Sequence, residues 1–140
     1  KGYIEMRGAD GGPWDRICAL PAVWVGLLYD EDALDESEKI AKQISYEEVI
    51  EATFNCSKTG LNSKIGKFKS QELAIELLKI AKTGLKKRNF LNSSGENETG
   101  YLSPLLNMAE EGKTLADTML QKYLKDWNKD PKKAIENQII

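Results

Sequence analysis

From Ile17 to Tyr29 the chain runs for 13 residues without a charge, and most of those residues are apolar. A membrane span needs about 20 such residues, so the run reads as buried protein interior, and no membrane association is expected. Extended back to Trp14, with Asp15 and Arg16 as its only charges, the segment reads as one nearly all-apolar helix. A helix that is apolar around its circumference has to be buried on all sides. Pro21 is expected to kink this one or divide it in two, because proline has no N–H to give and its ring clashes with the preceding turn. A chain of 140 residues can surround such a helix only with difficulty. A larger body of protein around it is therefore expected.

The flanking sequence is of a different kind. Residues 3–7 alternate: Tyr3, Glu5 and Arg7 fall on one face of an extended chain, Ile4 and Met6 on the other. That pattern reads as a short strand. Gly8-Ala9-Asp10-Gly11-Gly12-Pro13 is a turn by composition. Beyond Tyr29 the sequence reads as amphipathic helices. Asp30 is placed to cap a helix over about 31–42. Ser45-Tyr46-Glu47-Glu48 has the spacing of a capping box ahead of Val49, Ile50 and Phe54. Residues 55–69 are polar, contain Gly60 and Gly66, and read as a loop. Ser70 is a candidate N-cap for a helix to about Arg88 with a stripe of Leu73, Leu77, Ile80, Ala81 and Leu85. Residues 92–100 read as a flexible polar connection. A short helix through Leu102–Glu111, another capped by Thr114, and a last turn after Asp130-Pro131 complete the chain. The fold class is α+β and mostly α, one N-terminal strand followed by helices.

Composition narrows the chemistry. There is no histidine, which removes histidine bases, triads and metal ligands from this chain. The two cysteines, Cys18 and Cys56, make neither a disulfide scaffold nor a four-cysteine zinc site. A metal held here takes oxygen ligands, which suits Mg²⁺ better than Zn²⁺. The formal net charge of -2 argues against nucleic acid as a partner. No signal peptide precedes Lys1, so a cytoplasmic location is expected.

Glu5 and Arg7 point the same way from one strand. A carboxylate there can hold Mg²⁺, and a guanidinium two residues on can fork onto phosphoryl oxygens. Together they would form half of a phosphoryl-transfer site. On spacing alone, an exposed cross-strand Glu–Arg pair is the commoner explanation. The glycine turn is not a P-loop, since no Gly-Lys-Ser/Thr follows it. Lys86-Lys87-Arg88 places three cations at a helix C-terminus, where they complement its dipole.

The string Tyr3-Ile4-Glu5-Met6-Arg7-Gly8-Ala9-Asp10-Gly11-Gly12-Pro13-Trp14, continued by Arg16-Ile17-Cys18-Ala19-Leu20-Pro21-Ala22 and Trp24-Val25-Gly26-Leu27-Leu28-Tyr29-Asp30, closely resembles the plant-type glutamate–cysteine ligases of plants and many proteobacteria. Thinner echoes follow in the same order: Thr59-Gly60-Leu61, the stretch from Leu77 to Leu85, and Gly112-Lys113-Thr114-Leu115-Ala116-Asp117 with Tyr123 and Trp127. The resemblance implies that residues 1–140 are the C-terminal portion of a single larger catalytic domain with a glutamine-synthetase-like carboxylate–amine ligase fold. It implies ATP-dependent joining of the glutamate γ-carboxylate to the amino group of cysteine through γ-glutamyl phosphate, the first step of glutathione biosynthesis. Glutamate, cysteine and ATP would be the substrates, and the N-terminal portion of the same enzyme the partner. By matching position Glu5 becomes the Mg²⁺ ligand and Arg7 the catalytic arginine. Asp10 and Arg16 would orient the turn, and Trp14 would pack. Asp15 stands where plant members usually carry a second arginine. The family's redox partner for the cysteine matching Cys18 is not in this chain, so no redox role is assigned. Cys18 reads as a small buried hydrophobe and Cys56 as an incidental thiol. The alternative is a non-catalytic helical module that keeps the ligase sequence and binds a partner through the exposed surface of 17–29.

Overall fold

The computed structural model describes residues 2–136, apart from Ile4, Arg7 and Asp10. The described residues form helices α1 (Trp14–Leu28), α2 (Glu31–Ala41) and α3 (Tyr46–Thr59). After these come strands β1 (Lys64–Ile65) and β2 (Phe68–Lys69), then helices α4 (Ser70–Arg88), α5 (Ser103–Glu111), α6 (Leu115–Lys125) and α7 (Pro131–Glu136). Short 3₁₀ turns occupy Gly60–Asn62 and Glu98–Leu102. The mostly helical, α+β composition is as expected, but the strand lies elsewhere. Tyr3, Glu5 and Met6 are exposed and outside any strand. The sheet is a two-stranded antiparallel hairpin that pairs Lys64 with Lys69 and Ile65 with Phe68. An alternating segment becomes a strand only when another strand takes up its backbone donors and acceptors; the other two residues of the expected strand, Ile4 and Arg7, lie outside the described residues.

The helix ends follow the local chemistry. Asp30 accepts from the Ala33 N–H at 3.0 Å. Ser45 and Glu48 exchange both bonds of the capping box, at 3.2 and 2.8 Å. Thr114 and Asp117 do the same for α6. Ser70 is not a cap: the N-cap is Lys69, and Ser70 is the first helical residue, its hydroxyl 2.6 Å from that of Ser63. The polar stretch 55–69 is not one loop, because α3 continues to Thr59 and the hairpin follows. Residues 92–96 are held in a tight turn, where the Asn92 N–H donates to the Glu96 carbonyl at 2.8 Å.

α1 departs from expectation in two ways. It runs unbroken through Pro21. The exposed ring costs one backbone bond, while the opposite side of the helix is clamped in the core. Nor is α1 buried on all sides. Ala19, Ala22, Gly26 and Leu27 are buried, whereas Trp14 is 75% and Ile17 50% exposed. The buried side crosses α4 at backbone contact. A Cβ on Gly26 would fall 2.8 Å from the carbonyl carbon of Ala81, and one on Gly84 would fall 3.0 Å from the carbonyl carbon of Gly26. The absence of two side chains lets the helices approach this closely. Around the crossing, Ala22, Leu27, Ala33, Leu78, Ile80, Ala81, Leu85, Leu102 and Ala109 form the core. The α4 stripe is as expected at Leu73, Ile80, Ala81 and Leu85, with Leu77 half-buried against the core and Leu78 buried beside it. No described helix is long and apolar enough to cross a membrane.

Candidate functional site

The site expected from the sequence starts in the segment before α1. Glu5 is exposed there, while Arg7 and Asp10 lie outside the described residues. Trp14 opens α1 and is three-quarters exposed, so within this chain it does not pack as expected. The Pro13 carbonyl accepts the first helical bonds, from the N–H groups of Arg16 at 2.9 Å and Ile17 at 3.1 Å. The Asp15 carboxylate accepts the Arg16 N–H at 2.9 Å, the bond of a side chain placed in the first turn of a helix.

Arg16 touches the turn with its stem and leaves it with its head. Its stem lies along Gly12, where an added Cβ would sit 3.4 Å from the Arg16 Cβ. Its guanidinium reaches α5, and Nη1 donates to the Met108 Sδ at 2.9 Å. A thioether is a weak acceptor for a cation, and this contact joins residues 92 positions apart. Nothing in the sequence marks Met108 as the partner. The one signal is an arginine in the first turn of a largely apolar helix.

The contact lies beside a shallow cleft of about 240 Å³ lined by Arg16, Asn107, Met108, Glu111, Lys113 and Thr114, among others. The cleft brings together two stretches that resemble the ligases, the one around Arg16 and Gly112–Asp117. A third, Thr59-Gly60-Leu61, adjoins it: a Cβ on Gly60 would sit 3.0 Å from the Thr114 Cγ2. The Asp117 carboxyl is held below its usual range because the Thr114 N–H and hydroxyl both donate to it. Gly112 ends α5 with φ of 66°, in the left-handed region. Beside it the Gln71 amide donates to the Ala109 carbonyl at 2.8 Å. This satisfies one of the carbonyls a helix end leaves open.

Among the described residues no group of three or more cysteines and carboxylates could hold a metal. Glu5 still suits Mg²⁺ as a single contributor, since this ion is commonly held by one or two carboxylates together with waters and substrate phosphates. Cys56 is less incidental than its sequence suggests. It sits within α3 with its Sγ 2.8 Å from the Ser63 hydroxyl, at the edge of the buried Ser63–Ser70 pair. Lys87 and Arg88 are engaged within the fold. Lys87 pairs with Asp30 at 3.4 Å and with Asp32, and Arg88 pairs with Glu98.

The model of glutamate-cysteine ligase family 2 (GCS2) matches residues 1–139. The chain belongs to this family. Its relatives include the chloroplastic glutamate–cysteine ligase of Brassica juncea, 39% identical over 127 residues. The chloroplastic ligase A of Oryza sativa subsp. indica is 39% identical over 129 residues, and the chloroplastic ligase of Arabidopsis thaliana 39% over 127. These alignments take in 91%, 92% and 91% of this chain but only 24%, 25% and 23% of the respective ligases. The chain thus spans about a quarter of the length of the curated relatives it matches.

Proposed function

We propose that this chain is the C-terminal portion of a larger glutamate–cysteine ligase domain and acts with the remainder of that enzyme. The reaction is ATP-dependent formation of γ-glutamylcysteine. An oxygen of the glutamate γ-carboxylate takes the terminal phosphoryl group of ATP and ADP leaves. The amino group of cysteine then attacks the acyl carbon, and phosphate leaves with the C–O bonding pair. The observation that carries this reading is the family match over 1–139, which includes both Glu5 and Arg7.

Within that reaction Glu5 would hold Mg²⁺, which when bound offsets negative charge on the nucleotide phosphates. Arg7 would place its guanidinium fork on the phosphoryl oxygens and stabilise the charge that develops there. The segment before α1 would become a strand by joining a sheet of the remaining portion. The same portion would cover the exposed apolar stripe of α1 formed by Trp14, Ile17 and Leu28.

The test is reconstitution of this chain with the remaining portion, followed by assay of ATP- and glutamate-dependent ligation with cysteine. Activity is expected from the pair. Glu5→Gln should weaken the use of Mg²⁺-ATP, and Arg7→Ala should lower turnover more than it weakens substrate binding. Turnover near that of the parent in either variant would remove these two assignments. No ligation from two folded pieces would favour the non-catalytic module, with α1 as its docking face.

A further inference from the structure

Helix α6 is divided cleanly in two. At about 100° per residue, Leu115, Met119, Leu120, Tyr123 and Leu124 fall on one half of its circumference, and Asp117, Thr118, Gln121, Lys122 and Lys125 on the other. Such a helix ordinarily lays its apolar half on a core. Here no residue of α6 is buried, and Leu120 and Leu124 are 56% and 50% exposed. Between Leu115 and Glu136 only Trp127 is buried. The one extensive neighbour of α6 among the described elements is α7, a six-residue helix that also buries nothing. A helix of 11 residues is marginal in water on propensity alone and depends on the packing of its apolar face. Most of that packing is missing from this chain.

The position of α6 says where its cover comes from. Leu115 and Thr118 of its first turn line the cleft described above together with Arg16 of the first turn of α1. Ile17, the next residue of α1, is half exposed. The open side of α1, assigned above to the remaining portion of the ligase, therefore continues across the cleft to α6. There is chain enough to cover both, since the alignments take in only 24% and 25% of the matched ligases. A second copy of this chain fits less well. A stable dimer buries about 800 Å² on each partner, and five partly covered side chains on one short helix fall short of that alone. We infer that the apolar half of α6 is a second docking face for the remaining portion of the ligase, continuous with the one on α1.

The inference takes its occupant from the ligase reading, but its readout is stability rather than activity, so the two can fail separately. Leu120→Glu keeps helix propensity and sets a carboxylate in the apolar half. In the complete ligase it should lower the melting temperature by about 3 °C or more, because the charge is buried without a partner. In this chain alone the same change should stay within about 1 °C, since the site is open. Gln121→Glu, on the polar half, should be silent in both. Should Leu120→Glu fail to fold, amide exchange of the unsubstituted proteins reads the same face: α6 should exchange at least roughly tenfold more slowly in the complete ligase than in this chain. A complete ligase indifferent to Leu120→Glu, or with α6 exchanging as fast as in this chain, overturns the docking face. So does a chain that sediments as a dimer and becomes a monomer with Leu120→Glu, which would give the face to a second copy. A complete protein that is destabilised by Leu120→Glu yet makes no γ-glutamylcysteine would keep the docking face and remove the ligase reading.

Discussion

Glycine does opposite things at the two ends of α1. At Gly26, and at Gly84 across from it, there is no room for a methyl group, and two helix backbones meet. Ahead of α1, at Gly2, Gly8 and Gly11, a methyl group would meet nothing. The first region is determined by this chain's own packing, because close approach there completes the core. The second is not: its described residues are exposed, although the resemblance to the ligases is as dense over 3–13 as over the helix that follows. A resemblance that dense in a segment outside the core points to a role beyond the packing of this chain. The ligase reading supplies candidates in a nucleotide, a metal and the rest of the enzyme.

That comparison can be broken most directly by truncating a large side chain on either side of it. Leu85 is fully buried in α4, so Leu85→Ala should cost about 2–5 kcal/mol in urea unfolding of this chain. Trp14→Ala, at a site 75% exposed, should stay within about 0.5 kcal/mol. A costly Trp14→Ala would mean that the segment before α1 is packed after all. Next in size, Gly26→Ala should destabilise by about 1–3 kcal/mol through overpacking against the Ala81 backbone, whereas Gly8→Ala should be silent in the same thermal melt. A silent Gly26→Ala would show that the crossing is looser than described.

Smaller effects separate the helices from one another. Thr114→Ala removes one half of the α6 capping box and should cost about 1 kcal/mol. The loss should be visible as faster amide exchange in α6 with α1 and α4 unchanged. Smallest is the Lys87–Asp32 pair on the α2–α4 edge. The hydrogen bond and charge of Lys87 hold the Asp32 carboxyl below its usual range, and the Asp32 carboxylate raises the Lys87 ammonium above its own. A depressed carboxyl contributes stability above its unfolded pKa and loses it as pH falls through the folded value. The gap in melting temperature between the parent and Asp32→Asn should therefore be present at neutral pH and close in acid. Molar salt should narrow it too, since both groups are exposed. A gap that persists in acid would assign the effect to something other than this ion pair.

Much of this was legible because it is local. Asp30 and the Ser45–Glu48 box announce helix starts through bonds that span three residues, and the α4 stripe repeats every turn. Ser70 was misread by one position because a serine before a helix usually caps it, whereas here its hydroxyl is turned to Ser63. The 64–69 hairpin was not legible, since two-residue strands have no period to detect. Pro21 reads as a kink or break in α1 because single-residue propensity argues that way. Burial against α4 overrides it, and α4 lies some 50 residues further on. Glu5 and Arg7 are proposed on alternation and resemblance. Met108 gave no sign, because its partner is 92 positions away in sequence.

The glycine crossing also works as a ruler. Sliding α1 by one residue along α4 would bring Val25 or Leu27 to a place where only a hydrogen atom fits, so the axial setting of the helix is fixed to the residue. Trp14 lies 12 positions before Gly26, about 18 Å up the helix axis. Two missing side chains at one end of α1 thereby determine where its other end stops and where the chain carrying Glu5 leaves the helix. A drug or a mutation that wedges the crossing open would move that exit point without touching it.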